Sequence, residues 1–366
     1  MTVNGLRWAL GLMSGTSLDG VDAALIETDG EQISRFGPSL TLPYDDALRA
    51  RIRSLLDRAE GVAEDEPELL AIERDLTFRH CEAVAELRLR APDIVPAVIG
   101  FHGQTILHQP ENGRSWQIGD GALLQDRCGV PVICDFRARD LEQGGEGAPL
   151  VPVMHAALLR HHPEACAVLN IGGVANVTLL GPLAEGTREI WACDTGPGNA
   201  LLDVWALRHT GIACDFGGAL AQKGCVDGHV LAALLSLPYF TRPMPKSLDR
   251  LSFHPQAMAL VESLSAEDGA ATLAAFTVET IARTPMALTP ERWFVAGGGR
   301  HNPVLMGGLR KRLGSVEDVD ALGWDGDALE AQCFGLLAVR FQRNLPSSWP
   351  QTTGVKNPCV AGKAVI

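Results

Sequence analysis

The stretch Gly11-Leu12-Met13-Ser14-Gly15-Thr16-Ser17-Leu18-Asp19-Gly20-Val21-Asp22-Ala23-Ala24-Leu25 constrains this chain most. An apolar run, Trp8-Ala9-Leu10, leads into it, and an alternating run from Val21 to Ile26 leads out. The pattern predicts strand, glycine turn, strand. The turn carries Ser14, Thr16 and Ser17, with Gly15 and Gly20 free to take positive φ. Such a turn aims backbone N–H groups and hydroxyls at an anion, most often a phosphate. Asp19 and Asp22 repel phosphate but suit a Mg²⁺, or a water on it, that bridges phosphate oxygens. An ordinary polar hairpin uses the same residue types, so both readings stand at this point.

A chain of 366 residues exceeds the size at which one core keeps growing, so two domains are expected. Its net charge of −13 argues against a general nucleic-acid or anionic-membrane binder, either of which needs a basic surface. Nine cysteines, none in a C-x-x-C pair and several in apolar runs, fit buried thiols in a reducing cytoplasm. The N-terminus shows no apolar signal core, and no apolar run is long enough to span a bilayer.

Farther along, helical spacing runs through 45–58 and 67–90, the second opened by Pro67. Ile94 to Gly100 reads as a buried strand ending in the polar cluster Phe101-His102-Gly103-Gln104-Thr105, where α/β sheets place ligands. Trp116–Ile118 and Val130–Cys134 read as short strands, the latter followed by Asp135-Phe136-Arg137. The glycine-dense run 143–149 is a hinge or a ligand loop. The second half then repeats the opening plan. Cys166–Ile171, a Gly172-Gly173 turn and Val174–Leu180 form another hairpin. Ile190–Cys193 is again a buried strand followed by a polar cluster, Asp194-Thr195-Gly196-Pro197-Gly198-Asn199. Two such halves suggest a duplication with a cleft between them. Helix is expected over 256–284, a strand over Trp293–Ala296 running into Gly297-Gly298-Gly299, and an apolar helix over 327–344 with one early acid, Glu330. The tail from 346 is uninformative.

Walker A, Rossmann and His-Glu-x-x-His patterns are all missing, and Ser14 lacks the preceding glycine of a hydrolase elbow. Asp194 stands out as an acid directly after a four-residue apolar strand, either a general base at a cleft mouth or a turn and capping residue. Lys246 is a phosphate contact or, by default, a surface lysine. Glu330 is a helix-start charge near the positive dipole end or a buried ligand contact.

Together these strings resemble the anhydro-N-acetylmuramic acid kinase family. They are 11–22, His102-Gly103-Gln104-Thr105, Asp135-Phe136-Arg137 with 144–152, Asn170-Ile171-Gly172-Gly173, 194–199, Pro245-Lys246-Ser247, and Gly297-Gly298-Gly299 with Asn302. The resemblance implies an α/β chain of two duplicated domains, of the actin/hexokinase or ribonuclease H-like type, around an ATP cleft. The expected domains are 1–141 plus 346–366, and 142–345. It implies a reaction in which 1,6-anhydro-N-acetylmuramic acid, ATP and water give N-acetylmuramic acid 6-phosphate and ADP, in cell-wall recycling. Asp194 falls on the family's base. Ser14, Gly15, Thr16, Ser17, Leu18, Asp19, Gly20 and Val21 fall on its ATP-phosphate loop, and Gly172, Gly173, Gly297, Gly298, Gly299 and Asn302 are expected near the nucleotide. His102, Gln104, Arg137, Gly196 and Glu330 are expected at the sugar, and Asp19 and Asp22 at Mg²⁺, directly or through water. A cytoplasmic homodimer with no nucleic-acid or membrane partner is expected. The chain departs from the family at Leu248-Asp249-Arg250-Leu251, where many members have Thr-Gly-Arg-Glu, and at Glu146, where glutamine is common. The rival readings are an ordinary sugar kinase acting on a free 6-hydroxyl and a non-catalytic, actin-like nucleotide binder.

Overall fold

The structure is a computed structural model that describes residues 5–15, 18–248 and 254–365. The elements run β1 (Arg7–Ser14), β2 (Gly20–Thr28), β3 (Ile33–Pro43), α1 (Asp46–Leu56), α2 (Pro67–Arg90), β4 (Val98–Gln109), β5 (Arg114–Ile118), α3 (Gly121–Cys128), β6 (Val132–Cys134), α4 (Ala138–Glu142) and α5 (Pro152–Leu158). They continue with β7 (Cys166–Ile171), β8 (Val174–Leu180), β9 (Ile190–Pro197), α6 (Ala200–Thr210), α7 (Gly228–Leu235), α8 (His254–Val261), α9 (Ala266–Ala282), β10 (Arg292–Ala296), α10 (Pro303–Leu313), β11 (Val316–Asp318), α11 (Leu329–Gln342) and β12 (Lys363–Ala364).

Two units divide these elements: Met1–Leu159 with Ala328–Ile366, and Arg160–Asp327. The first holds the sheet β12-β6-β4-β1-β2-β3, with β5 paired to β4. The second holds β11-β10-β7-β8-β9. Stripped of β5 and β12, both sheets have the same plan. A hairpin and a third antiparallel strand are followed by two parallel strands added on the far side of the first. The repeat seen in the sequence is thus a repeat of topology.

The unit boundaries fall at 159/160 and 327/328, not at the expected 141/142 and 345/346, because α5 and α11 both belong to the first unit. In register, Gly11 of β1 sits beside Gly100 of β4. A Cβ on Gly11 would lie 1.7 Å from the Ala331 carbonyl oxygen, and one on Gly100 would lie 1.9 Å from that of Phe334. Two adjacent bare positions on parallel strands make a flat seat, and α11 lies in it with Ala331, Gly335 and Ala338 against the sheet. Periodicity shows that 327–344 is a buried helix but does not show which sheet buries it.

Of the polar clusters expected just past a strand end, 101–105 lies wholly inside β4, and β9 runs on through Asp194 to Pro197 before Gly198 and Asn199. Between the pairs Leu12↔Phe101 and Ser14↔Gln104, β4 carries one residue more than β1. This bulge has Gly103 at φ +72°, and β4 then continues to pair with β5. On β9, Thr195 is the extra residue between the pairs Ala175↔Gly196 and Asn176↔Asp194. Bulges re-aim side chains without ending the ladder. The expected helix over 256–284 is two helices, with Ser265 capping the second by accepting from the Asp268 N–H.

Candidate active site

In the first unit the described residues Gly15 and Leu18 flank the β1–β2 turn. The Leu18 N–H donates to the Gly15 carbonyl at 3.2 Å, and Leu18 itself has φ +61°. Its side chain is fully buried, so packing holds a conformation that an isoleucine or leucine disfavours. The Leu18 carbonyl accepts from Arg49 Nε at 3.1 Å, and the Asp19 carbonyl accepts from the Tyr44 N–H at 3.3 Å. Ser14 Oγ bonds inward, to the Tyr44 hydroxyl and to Gln104 Oε1 at 2.8 Å. Ser14 and Gln104, expected at the nucleotide and the sugar, are therefore bonded to each other in the interior. Burial pushes the Tyr44 hydroxyl well above the ordinary phenol value. Gly20 is buried against Leu42 and Pro43 of β3, and Val21 is in the core. Asp19 is exposed, while Asp22 is half-buried and accepts from the Thr41 hydroxyl at 2.5 Å. Thr16 and Ser17 lie outside the described residues.

The β4 bulge presents His102. Its Nε2 faces Arg137, with Nη2 at 3.1 Å and Nε at 3.4 Å, and its Nδ1 faces the Gly103 carbonyl at 2.9 Å. An arginine only donates and a carbonyl only accepts. The network therefore assigns His102 as the neutral Nδ1–H tautomer. Burial first, and the Arg137 charge second, hold its pKa well below the usual histidine value. Phe334 of α11 stacks on the ring at 4.5 Å. Arg137 Nη1 also donates to the Gly147 carbonyl at 2.8 Å, so the glycine run 143–149 is part of the same cluster. Glu330 is half-buried on the first turn of α11. Burial pushes the Cys333 thiol up, with Glu330 adding to the shift and Arg137 opposing it, which places both charges near one buried sulfur.

In the second unit Asp194 is 6% exposed. Its N–H donates to the Lys246 carbonyl at 2.9 Å, its carbonyl accepts from the Tyr239 hydroxyl at 2.7 Å, and its Oδ2 accepts from the Leu248 N–H at 2.8 Å. Lys246 is not the surface lysine expected by default. It is 1% exposed, with Nζ 3.2 Å from the Tyr239 carbonyl and 4.4 Å above that ring, and burial lowers its pKa. The departure at Leu248 keeps the backbone donor that Asp194 uses, and residues 249–253 lie outside the description. Gly196 packs against Thr280 and Phe240.

Three turns meet where β7 ends. The Gly172 carbonyl accepts from the Asn199 N–H at 2.7 Å, and the Gly173 carbonyl accepts from the Gly198 N–H at 3.0 Å. Asn199 Nδ2 reaches the Ile171 carbonyl at 3.2 Å. A Cβ on Gly297 would lie 2.4 Å from Asn170 Oδ1, and one on Gly299 would lie 2.3 Å from the Ile171 side chain. Packing accounts for both glycines, and Gly297 also takes φ +77°. Gly298 is exposed, with only Asn199 Nδ2 near its Cβ position, at 3.9 Å. Asn302 caps α10, accepting from the Val304 N–H at 3.0 Å.

Asp140 escaped the sequence reading, and so did its link to the tail, which is expected in the first domain but given no role there. Asp140 is fully buried and accepts from the Gly147 N–H at 2.7 Å, from Thr353 Oγ1 at 2.7 Å and from Ser348 Oγ. An acid just inside a short helix gives no local signal of partners some 210 positions away.

Two sheets with the same hairpin-led strand order, each with glycine turns at its strand ends, define the duplicated α/β class of actin and hexokinase, each half ribonuclease H-like. The profile of the anhydro-N-acetylmuramic acid kinase family matches residues 7–366. A relative of that name from Gluconobacter oxydans is 72% identical over 359 residues, covering 98% of this chain and 99% of its own. Another, from Acidiphilium cryptum, is 56% identical over 358 residues, covering 98% of each. Among solved structures, component A of (R)-2-hydroxyglutaryl-CoA dehydratase from Acidaminococcus fermentans aligns at a TM-score of 0.45 with 12% identity. That alignment covers 91% of this chain and 98% of that one, a likeness too loose to bear on function. The chain belongs to the anhydro-N-acetylmuramic acid kinase family.

Proposed function

We propose that this chain opens the 1,6-anhydro bridge of anhydro-N-acetylmuramic acid with water while transferring the γ-phosphoryl of ATP to O6. The products are N-acetylmuramic acid 6-phosphate and ADP. The observation that carries this reading is 72% identity to a named family member along nearly the whole chain. Asp194 is the proposed base. It takes a proton from water as the oxygen bonds to C1, the C1–O6 bond breaks, and O6 bonds to the γ-phosphorus. A base has to be positioned before it is strong, and two hydrogen bonds to the Asp194 backbone and one to its Oδ2 fix it on β9. Arg137, with the neutral His102 behind it, and Glu330 are proposed at the sugar. The turn 14–21, with Ser14 Oγ used inward, and the turns 172–173 and 297–299 with Asn302 are proposed at ATP, and Gly298 is the one exposed glycine of the latter two turns.

Mg²⁺ is part of the same reading and would neutralise phosphate charge. Among the described residues, no group of three or more His, Cys, Asp or Glu side chains has metal-binding geometry. That suits an ion which keeps water and phosphate oxygens and takes only one or two carboxylates. Asp19, which is exposed, and Asp22 are the residues that would hold it. No helix among the described residues is long and apolar enough to cross a membrane. All nine cysteines are free thiols, which supports a reducing, cytoplasmic setting. A homodimer is proposed and is read by light scattering.

The test supplies anhydro and reducing sugars side by side with ATP in oxygen-labelled water. Label at the anomeric carbon of the phosphorylated product is expected. Phosphorylation of the reducing sugar alone would leave an ordinary sugar kinase.

A further inference from the structure

The glycine run 143–149 is gripped at one residue, Gly147, through the peptides on either side of it. The Gly147 N–H donates to Asp140 Oδ1 at 2.7 Å, and the Gly147 carbonyl accepts from Arg137 Nη1 at 2.8 Å. Asp140 is tied in turn to the C-terminal segment through Ser348 and through Thr353 Oγ1 at 2.7 Å. The run is held to that segment a second time, where the Glu146 N–H donates to the Thr353 carbonyl at 2.6 Å. Gly145 fits only because it lacks a side chain, since a Cβ there would lie 2.2 Å from Asp140 Oδ1. From the tail, the bonds run through Asp140, Gly147 and Arg137 to His102 Nε2 without a gap. Asp140 is fully buried, so it does not touch a ligand and acts only through these neighbours.

We infer that Asp140 is a positioning residue for the sugar, which sets the Arg137 guanidinium and the His102 ring through Gly147, and that the segment 348–353 belongs to this machinery. The inference rests on the proposed sugar contact of Arg137. A carboxylate answering three donors in a dry interior holds them stiffly, because each donor left unmatched there is costly. A hinge that could swing freely would not have the peptides on both sides of Gly147 bonded.

The experiment uses the full chain with the anhydro sugar and ATP, and the variants Asp140→Ala, Asp140→Asn, Arg137→Ala and the Ala double variant. Asp140→Ala is expected to raise KM for the sugar about tenfold, with KM for ATP kept within about twofold. The effect should vanish in the Arg137→Ala background, because the two residues act in series. Asp140→Asn keeps an oxygen for the Gly147 N–H and should restore most of the sugar affinity. The His102 ring nitrogen resonances should move in Asp140→Ala and stay near their native positions in Asp140→Asn. Should Asp140→Ala fail to fold, Thr353→Val, which removes one donor, carries the same comparison with a smaller shift. Equal losses in kcat and in both KM values, unchanged by Arg137→Ala and with the His102 resonances unmoved, would overturn the inference. If Arg137→Ala leaves the sugar KM alone, the sugar contact fails. The His102 resonances then decide the relay by themselves, standing if they move and falling if they do not.

Discussion

At the scale of single residues, the turn 14–21 separates what a side chain offers from what it has already given away. Ser14 looks like a phosphate ligand in the sequence, yet its hydroxyl is used inward on Tyr44 and Gln104. Ser14→Ala should therefore cost about 1–3 kcal/mol of stability, since it leaves a buried amide oxygen and a buried phenol short of a partner. Urea unfolding measures this. Asp194 makes the opposite case, because its bonds fix the backbone and one oxygen of a carboxylate proposed to do chemistry. Asp194→Asn should lower kcat by a factor on the order of 10²–10⁴ while ATP affinity, read by calorimetry, is unchanged. Turnover near the native rate would place the base elsewhere. Asp194 stood out in the sequence because an acid following an apolar run is conspicuous, and its role as base is what this variant tests. Asp140 was not, since its partners are set by a chain reversal that brings 348–353 back to 140.

Among elements, α11 is the one whose place decides the most. It covers β1, β2 and β4 at the Gly11–Gly100 seat and carries both Phe334, which stacks on His102, and Glu330. Gly11→Ala should cost on the order of 3 kcal/mol, because helix backbone lies 1.7 Å from the new methyl and has no side chain to swing aside. Gly100→Ala should cost a similar amount. The double variant should cost clearly less than the sum, since either methyl alone lifts the same helix. Denaturant midpoints of the three variants settle the point, and strict additivity would mean the seat is not shared. Helix boundaries were readable from the sequence wherever caps and periodicity agreed, as at Pro67. The two bulged strands were not, because a bulge is a matter of register against a neighbour that the sequence does not name.

For the molecule as a whole, acid should act on the first unit before the second. His80, His102, His108 and His155 are all buried there and all depressed, to about 4 for His80, about 3 for His108 and His155, and well below the ordinary value for His102. Burial is the leading cause in each, because a charged imidazole loses its hydration. A group with a depressed folded pKa binds its proton only in the unfolded chain. Its stabilisation is whole above the unfolded value near ~6.5 and is lost as pH falls toward the folded one. Each such histidine therefore removes about 1.4 kcal/mol per pH unit over that window. Hydrogen exchange followed from pH 7 to 4.5 should show protection in β1, β4 and α2 falling before that in β7 and α9. Equal loss in both units would mean these rings do not govern acid stability. By itself the sequence determined the class of fold, the two hairpins, the limits of α1, α2 and α11 to within a few residues, and the family, because turn chemistry and hydrophobic period are local and the motifs are contiguous. Only the tertiary structure decided which sheet takes α11, that Ser14 and Lys246 are spent in the interior, and that the tail anchors Asp140. Each of these rests on contacts between residues far apart in the chain, and distance along a chain carries no record of distance in space.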